Sequence, residues 1–100
     1  MPRARLVVLP AAARDYEEAF AWYYNRSRTM AVQFQREIAR TLRLIAESPK
    51  RWPLRRGFRR MLVRKFPYSI IYRVFKHDVL VIAVAHGRRR PFYWLRRDTE

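Results

Sequence analysis

A short alternating run, Arg3-Ala4-Arg5-Leu6-Val7-Val8-Leu9, opens the chain and is closed by Pro10, the pattern of a first strand. The period then turns helical. From Ala11 to about Arg26, the apolar positions Tyr16, Ala19, Phe20 and Tyr23 recur at steps of three and four. Pro10 suits the first turn of that helix, where its missing N–H is not needed. Asp15, Glu17 and Glu18 fall in its first half, where the helix dipole favours negative charge. Trp22 and Tyr24 flank the stripe and cover its rim. The polar stretch Asn25–Thr29 reads as a turn. A second helix follows from Met30 to Glu47, with Ala31, Phe34, Ile38, Leu42 and Ile45 on one stripe and Arg36, Arg40 and Arg43 off it, facing water. Pro49 stops it, and Ser48 before a proline is biased away from helix. Two helices this close in sequence pair as an antiparallel hairpin.

After a loop from Lys50 to Gly57 the period becomes strand-like. Arg59–Phe66 alternates basic and apolar residues, Pro67 and Tyr68 break the run, and Ser69–Phe75 is rich in β-branched and aromatic residues. Lys76-His77-Asp78 reads as a tight turn before Val79–Ala85, which is almost wholly apolar. Three strands joined by short turns form an antiparallel meander, and a strand apolar on both faces belongs inside the sheet. The expected fold is therefore α+β, in the order β-α-α-β-β-β, with an N-terminal helical hairpin packed on a small, mostly antiparallel sheet and a short basic tail. Residues 1–100 are expected to make one domain, since a chain this short has no room for a second core.

Composition narrows the function. Half of the residues are hydrophobic and 15% are aromatic, too apolar for a disordered basic tail. There is no cysteine, which excludes disulfides, thiolate metal sites and cysteine nucleophiles, and suits a reducing cytoplasm. No apolar run approaches the roughly 20 residues needed to cross a bilayer, and the N-terminus lacks the pattern of a signal peptide. No membrane partner is expected. The net charge is +15 and uneven. Residues 1–48 hold eight arginines and five acids, a balance of +3, whereas residues 49–100 hold fifteen Lys or Arg and three acids, a balance of +12. Such a field attracts polyanions, either nucleic acid or an acidic protein.

The candidate chemistry follows from what is present. The basic half contains only Asp78, Asp98 and Glu100 as acids, too few carboxylates to hold the ions of a two-metal nuclease. His77 and His86 lack partners at metal-ligand spacing, and there is no phosphate-binding glycine loop, so neither metal nor cofactor is expected. What remains is a set of cations and aromatics on neighbouring strands. Arg60 and Arg64 share a strand face, Arg73 lies on the next strand, and His86 ends the last one before Arg88, Arg89, Arg90, Tyr93 and Trp94. Arginine neutralises phosphate and aromatic rings stack on unpaired bases, so RNA is a natural partner. The same residues would suit metal-free RNA cleavage, in which a 2′-OH attacks the adjacent phosphate and the enzyme supplies base, acid and positive charge. Bland readings stand beside these. Tyr72 suits the core, Phe66-Pro67-Tyr68 a structural bend, His77 a solvated turn, and His86 a strand end bonded to backbone.

Three segments resemble the RelE/ParE toxin superfamily. Ala12-Ala13-Arg14-Asp15-Tyr16-Glu17-Glu18-Ala19-Phe20-Ala21-Trp22-Tyr23 looks like that family's first helix, and Ile45-Ala46-Glu47-Ser48-Pro49 like the exit of its second. The third is the most specific: a basic strand, Phe66-Pro67-Tyr68, a Tyr72-Arg73 strand, and an apolar strand ending in His86-Gly87-Arg88-Arg89, as in a large plasmid-stabilisation subset. The resemblance implies the toxin of a type II toxin–antitoxin pair, cytoplasmic and neutralised by an acidic antitoxin that wraps it with helices or an added strand. The assemblies it allows are a homodimer or a toxin–antitoxin heterotetramer.

The superfamily divides on target. ParE-like members inhibit DNA gyrase; RelE-like members cut mRNA on the ribosome. If the last strands are aligned through Val81-Ile82-Ala83-Val84, Tyr93 falls near the RelE C-terminal tyrosine, but the RelE arginine falls on Gly87, with Arg88 one residue away. The Lys-rich RelE segment is represented only by Lys50, Arg51, Arg55 and Arg56. The resemblance thus favours gyrase inhibition, with ribosome-dependent mRNA cleavage as the alternative and a non-toxic antitoxin- or RNA-binding relative as a third reading. For the nuclease the catalytic candidates are Arg64, Arg73, His86, Arg88 and Tyr93. For nucleic-acid or target binding they are Arg55, Arg56, Arg60, Arg64, Lys65, Arg88 and Arg89.

Overall fold

The computed structural model describes residues 3–99, in the order β1 (Arg5–Val8), α1 (Pro10–Tyr24), α2 (Arg28–Glu47), β2 (Leu54–Arg55), β3 (Phe58–Leu62), β4 (Tyr68–Phe75), β5 (Asp78–His86) and a closing 3-10 turn (Leu95–Thr99). The strands form one sheet ordered β1-β5-β4-β3-β2. From β2 to β5 neighbours run antiparallel, while β1 pairs parallel with β5. A parallel pair needs a long crossover, which the helical hairpin supplies. Among the described residues no helix is long and apolar enough to cross a membrane.

The hairpin covers one face of the sheet. Ala12, Ala19 and Tyr23 of α1 and Ala31, Phe34, Ile38 and Ile45 of α2 pack on Ile70, Tyr72, Val79, Val81 and Val84. Small residues at Ala12, Ala19 and Ala31 let the helices approach closely, and aromatics fill the space that remains. Tyr23, Phe34, Phe66 and Tyr68 meet at centroid distances of 5.1–6.5 Å, mostly edge to face. Ser27 caps α2 by accepting the Met30 N–H at 3.2 Å, so the helix starts two residues before the expected Met30.

Three further departures from the expected elements have local causes. The presumed loop 50–57 contains β2, which pairs with β3 through the two-residue turn Arg56-Gly57. Both turn residues have positive φ, +52° and +86°, as in the hairpin turns whose twist matches that of the strands. Next, β3 ends at Leu62 rather than Phe66, because the chain turns with Lys65 at φ +70° and sends Val63 and Phe66 into the core. Tyr68 then opens β4 instead of breaking it, and its carbonyl accepts the Val63 N–H at 2.9 Å.

The third departure is the C-terminal segment. Phe92 and Trp94 lie on the face of the sheet turned away from the helices, over Phe58, Ile71, Ile82, Ala83 and Ala85. The sheet is therefore covered on both sides. A register shift in β5 makes this possible: Ile71 faces Ala83 and Tyr72 faces Val81, so Ile82 is an extra residue. The bulge reverses the alternation beyond it. Val79 and Val81 face the helices before the bulge, and Val84 does so after it.

Candidate functional site

Because β1 ends at Val8 and Pro10 begins α1, β5 has no strand partner on that edge beyond Val81, whose carbonyl accepts the Leu9 N–H at 3.1 Å. A side-chain pair takes its place. Asp15 of α1 accepts the Val84 N–H at 3.0 Å and two bonds from Arg97 at 2.6 and 3.1 Å. Arg97 also donates to the Ile82 carbonyl at 3.3 Å. The two side chains are only 13% and 19% exposed. Backbone groups this far from water need partners, and here a carboxylate and a guanidinium supply them. Asp15 lies beyond the first turn of α1, so its role is this tertiary contact rather than the helix-dipole effect expected from its position.

Beside this clamp is a cleft of about 410 Å³. Glu18, Trp22 and Tyr23 come from α1, Pro67 from the turn before β4 and Tyr68 from its first residue, Val84 and His86 from the end of β5, and Arg89 and Tyr93 from the segment after it. His86 Nδ1 accepts the Arg88 N–H at 3.0 Å, which places the imidazole proton on Nε2 in the neutral ring. Its ring meets Tyr68 edge to face at 5.0 Å. The Arg89 guanidinium lies 4.0 Å over the Tyr93 ring and Arg97 5.2 Å from it. Trp22 carries the Arg26 guanidinium 3.7 Å from its ring, and Arg26 itself does not line the cleft. Burial, aided by nearby acids, pushes the Tyr68 phenol up. Burial also raises Tyr93, reinforced by Asp15 and opposed by Arg97 and Arg89. Both phenols therefore stay protonated near neutral pH and act as hydrogen-bonding groups rather than bases.

The other residues singled out from the sequence are spread over the molecule. The Gly87 N–H donates to the Pro67 carbonyl at 2.8 Å, tying the loop after β5 to the β3–β4 turn. Arg64, Lys65, Arg88 and Arg89 thus share one end of the sheet. Arg64 reaches Glu37 of α2 at 3.5 Å, a long contact, while Glu37 Oε1 is buried without a partner. Arg55, Arg60 and Arg73 stand opposite Phe58, Ile71 and Leu80, which places all three on the face turned away from the helices. Arg56 lies there too, 4.7 Å over Phe92. Of the five catalytic candidates, His86 and Tyr93 line the cleft and Arg88 touches it through its backbone, whereas Arg64 and Arg73 point elsewhere. Trp94, grouped with Tyr93 as a stacking aromatic, is 9% exposed and belongs to the back-face core.

Sequence reasoning missed Glu18, Trp22 and the Asp15–Arg97 pair. The first two carried a weak signal: they sit at i and i+4 off the apolar stripe of α1, a placement that puts an acid and a large ring on one exposed helix face. Asp15 and Arg97 are 82 residues apart and carried none. Among the described residues no three His, Cys, Asp or Glu side chains gather closely enough to hold a metal ion.

A family model described as the ParE toxin of the type II toxin–antitoxin system parDE matches residues 6–91 of this chain. Ten chains of solved structures also match. One, described as the chromosomal ParDE TA system from P. aeruginosa, superposes with a TM-score of 0.73 at 15% identity, over 84% of this chain and 96% of that one. At that identity the likeness is one of fold. No curated relative matches.

Proposed function

The chain belongs to the family of ParE toxins of type II toxin–antitoxin systems, and from that membership we propose that it arrests growth by binding and inhibiting DNA gyrase rather than by cutting RNA. The dispersal of the nuclease candidates carries this reading. Arg73 is on the sheet face opposite His86, and Arg64 is drawn toward Glu37. Metal-free cleavage needs its base, acid and cation within hydrogen-bond reach of one phosphate. Tyr68 and Tyr93, raised by burial, would serve poorly as bases.

An acidic antitoxin is the second partner in this proposal. The net charge of +15 speeds its encounter. An apolar groove of about 350 Å³ between α1 and α2, lined by Ala12, Ala13, Tyr16, Ile38, Ala39 and Leu42, fits the apolar face of an antitoxin helix.

The test is a gyrase supercoiling assay beside a ribosome-dependent mRNA cleavage assay on the same purified toxin, each with and without antitoxin. Blocked supercoiling with intact mRNA, relieved by antitoxin, is expected. Codon-positioned cuts that require ribosomes, with gyrase unaffected, would replace this reading with the ribonuclease alternative.

A further inference from the structure

The cleft beside the Asp15–Arg97 clamp gathers aromatic rings, a carboxylate, an imidazole and a guanidinium in one place. We propose that it is a nucleotide site, taking an unpaired guanine base on the open face of Trp22 with its phosphate on Arg89. The inference does not depend on the gyrase reading.

Four observations converge on it. First, the volume of about 410 Å³ lies within the range of small-ligand sites. Second, Trp22 and Tyr93 both line the cleft, and each ring carries a guanidinium, Arg26 on Trp22 and Arg89 on Tyr93. Trp22 is 52% exposed and lines the cleft, whereas Arg26, stacked on it, does not, which leaves the cleft side of the indole open to a base. Arg26 is fixed there by donating to the Trp22 carbonyl at 2.9 Å. An aromatic platform with an arginine behind it is a common way to hold an unstacked base.

Third, the polar groups are of opposite kinds and suit one base edge. Glu18 is an exposed carboxylate that only accepts. His86, with Nδ1 taken by the Arg88 N–H, offers Nε2–H as a donor. The pairing edge of guanine presents two adjacent N–H donors, N1 and N2, beside the O6 acceptor. A carboxylate takes the first two and the imidazole N–H the third. Adenine presents a bare N1 to the carboxylate and an amino group to the N–H, and would be refused. Fourth, Arg89 lines the same cleft, and its position over Tyr93 holds the guanidinium at the rim, where a phosphate attached to the bound nucleoside can reach it.

Isothermal titration of the full chain at about physiological salt tests this, using GMP, AMP, CMP, UMP, guanosine and inorganic phosphate as probes. One GMP per chain is expected, with AMP, CMP and UMP at least about tenfold weaker. Guanosine should also be weaker, and inorganic phosphate should not saturate. Trp22→Ala should weaken GMP about tenfold or more by removing the stacking platform. Glu18→Gln should erase the preference for guanine over adenine, and Arg89→Gln should bring GMP down to the affinity of guanosine. All three side chains are exposed, so these variants leave the core intact. Arg43→Gln, an exposed position on α2 away from the cleft, should change nothing. A single-stranded oligonucleotide with one guanine that binds more tightly than GMP would identify nucleic acid as the source of the base, and equal or weaker binding a free nucleotide. Absence of saturable GMP binding would overturn the proposal. So would binding that Trp22→Ala, Glu18→Gln and Arg89→Gln all leave unchanged, since the ligand would then sit on the general positive surface.

Discussion

Asp15→Ala should be among the most damaging single substitutions outside the apolar core. It removes the acceptor for three bonds at once: the Val84 N–H at 3.0 Å and the Arg97 guanidinium at 2.6 and 3.1 Å. The Val84 N–H loses its acceptor, and the Arg97 guanidinium, whose side chain is 19% exposed, loses its counter-charge while keeping the Ile82 carbonyl. Removing one partner of a largely buried charge pair costs about 3–5 kcal/mol. Whole domains are stable by only about 5–15 kcal/mol. For a domain of this size each kcal/mol lowers the melting temperature by about 4–8 °C, so a fall on the order of 12–40 °C is expected. Arg97→Ala should cost less, about 2 kcal/mol, because Asp15 keeps the Val84 N–H and only one side of the network is lost. The double variant should be less destabilised than the sum of the two singles. The assays are thermal and urea unfolding followed by circular dichroism. Two results would refute the reasoning. One is an Asp15→Ala cost below about 1 kcal/mol; the other is additivity of the two singles to within about 0.5 kcal/mol, the mark of independent sites.

Other expectations follow from the same geometry. Burial pushes the Tyr72 phenol up to about 12, against a weaker opposing effect of Arg59, and its hydroxyl donates to the Pro49 carbonyl at 2.7 Å. The folded state therefore holds that proton more tightly than the unfolded chain does. The resulting stabilisation is complete below pH ~10 and about 3 kcal/mol of it is lost as the pH rises toward 12. Urea titrations at pH 8 and 11 should show Tyr72→Phe losing less stability than the parent over that interval; equal losses would contradict the assignment. Trp94→Ala should cost about 3–5 kcal/mol by opening a cavity in the back-face core. Trp94→Phe should cost less, because it also removes an indole N–H that is buried without a partner. Arg64→Gln should change stability by no more than about 1 kcal/mol, since its contact to Glu37 is long and its side chain is 59% exposed. Toxicity in an induction assay should persist in that variant, and its loss would return Arg64 to the functional set. Ala39→Glu, in the groove between the helices, should weaken antitoxin capture at least about tenfold by burying a charge, while supercoiling inhibition is kept.

Much of the architecture was legible along the chain, because burial against a single neighbouring layer writes a period into the sequence. The stripe Ala31, Phe34, Ile38, Leu42, Ile45 marked α2, and the apolar run Val79–Ala85 marked a strand inside the sheet. Turn chemistry was less legible. Arg56-Gly57 closes a hairpin by positive φ, with one glycine where a two-residue turn more often advertises itself with Asn-Gly, so the sequence of β2 looks like loop. The tail is illegible for a different reason. Composition registered Arg88, Arg89 and Arg90 but gave no sign that Phe92 and Trp94, a few residues on, fold back under the sheet.

Family and fold class could be reached from the residues themselves, since helical and strand periods and short motifs such as His86-Gly87-Arg88-Arg89 are local in sequence. The functional site could not. Whether Arg73 and His86 meet depends on which sheet face each occupies, and a one-residue bulge at Ile82 decides that for β5. Whether the edge of β5 is left open depends on where β1 stops, and what fills it comes from Asp15 and Arg97, far apart in the chain. Parity, edges and long-range ion pairs are properties of the closed sheet, and no window of sequence contains them.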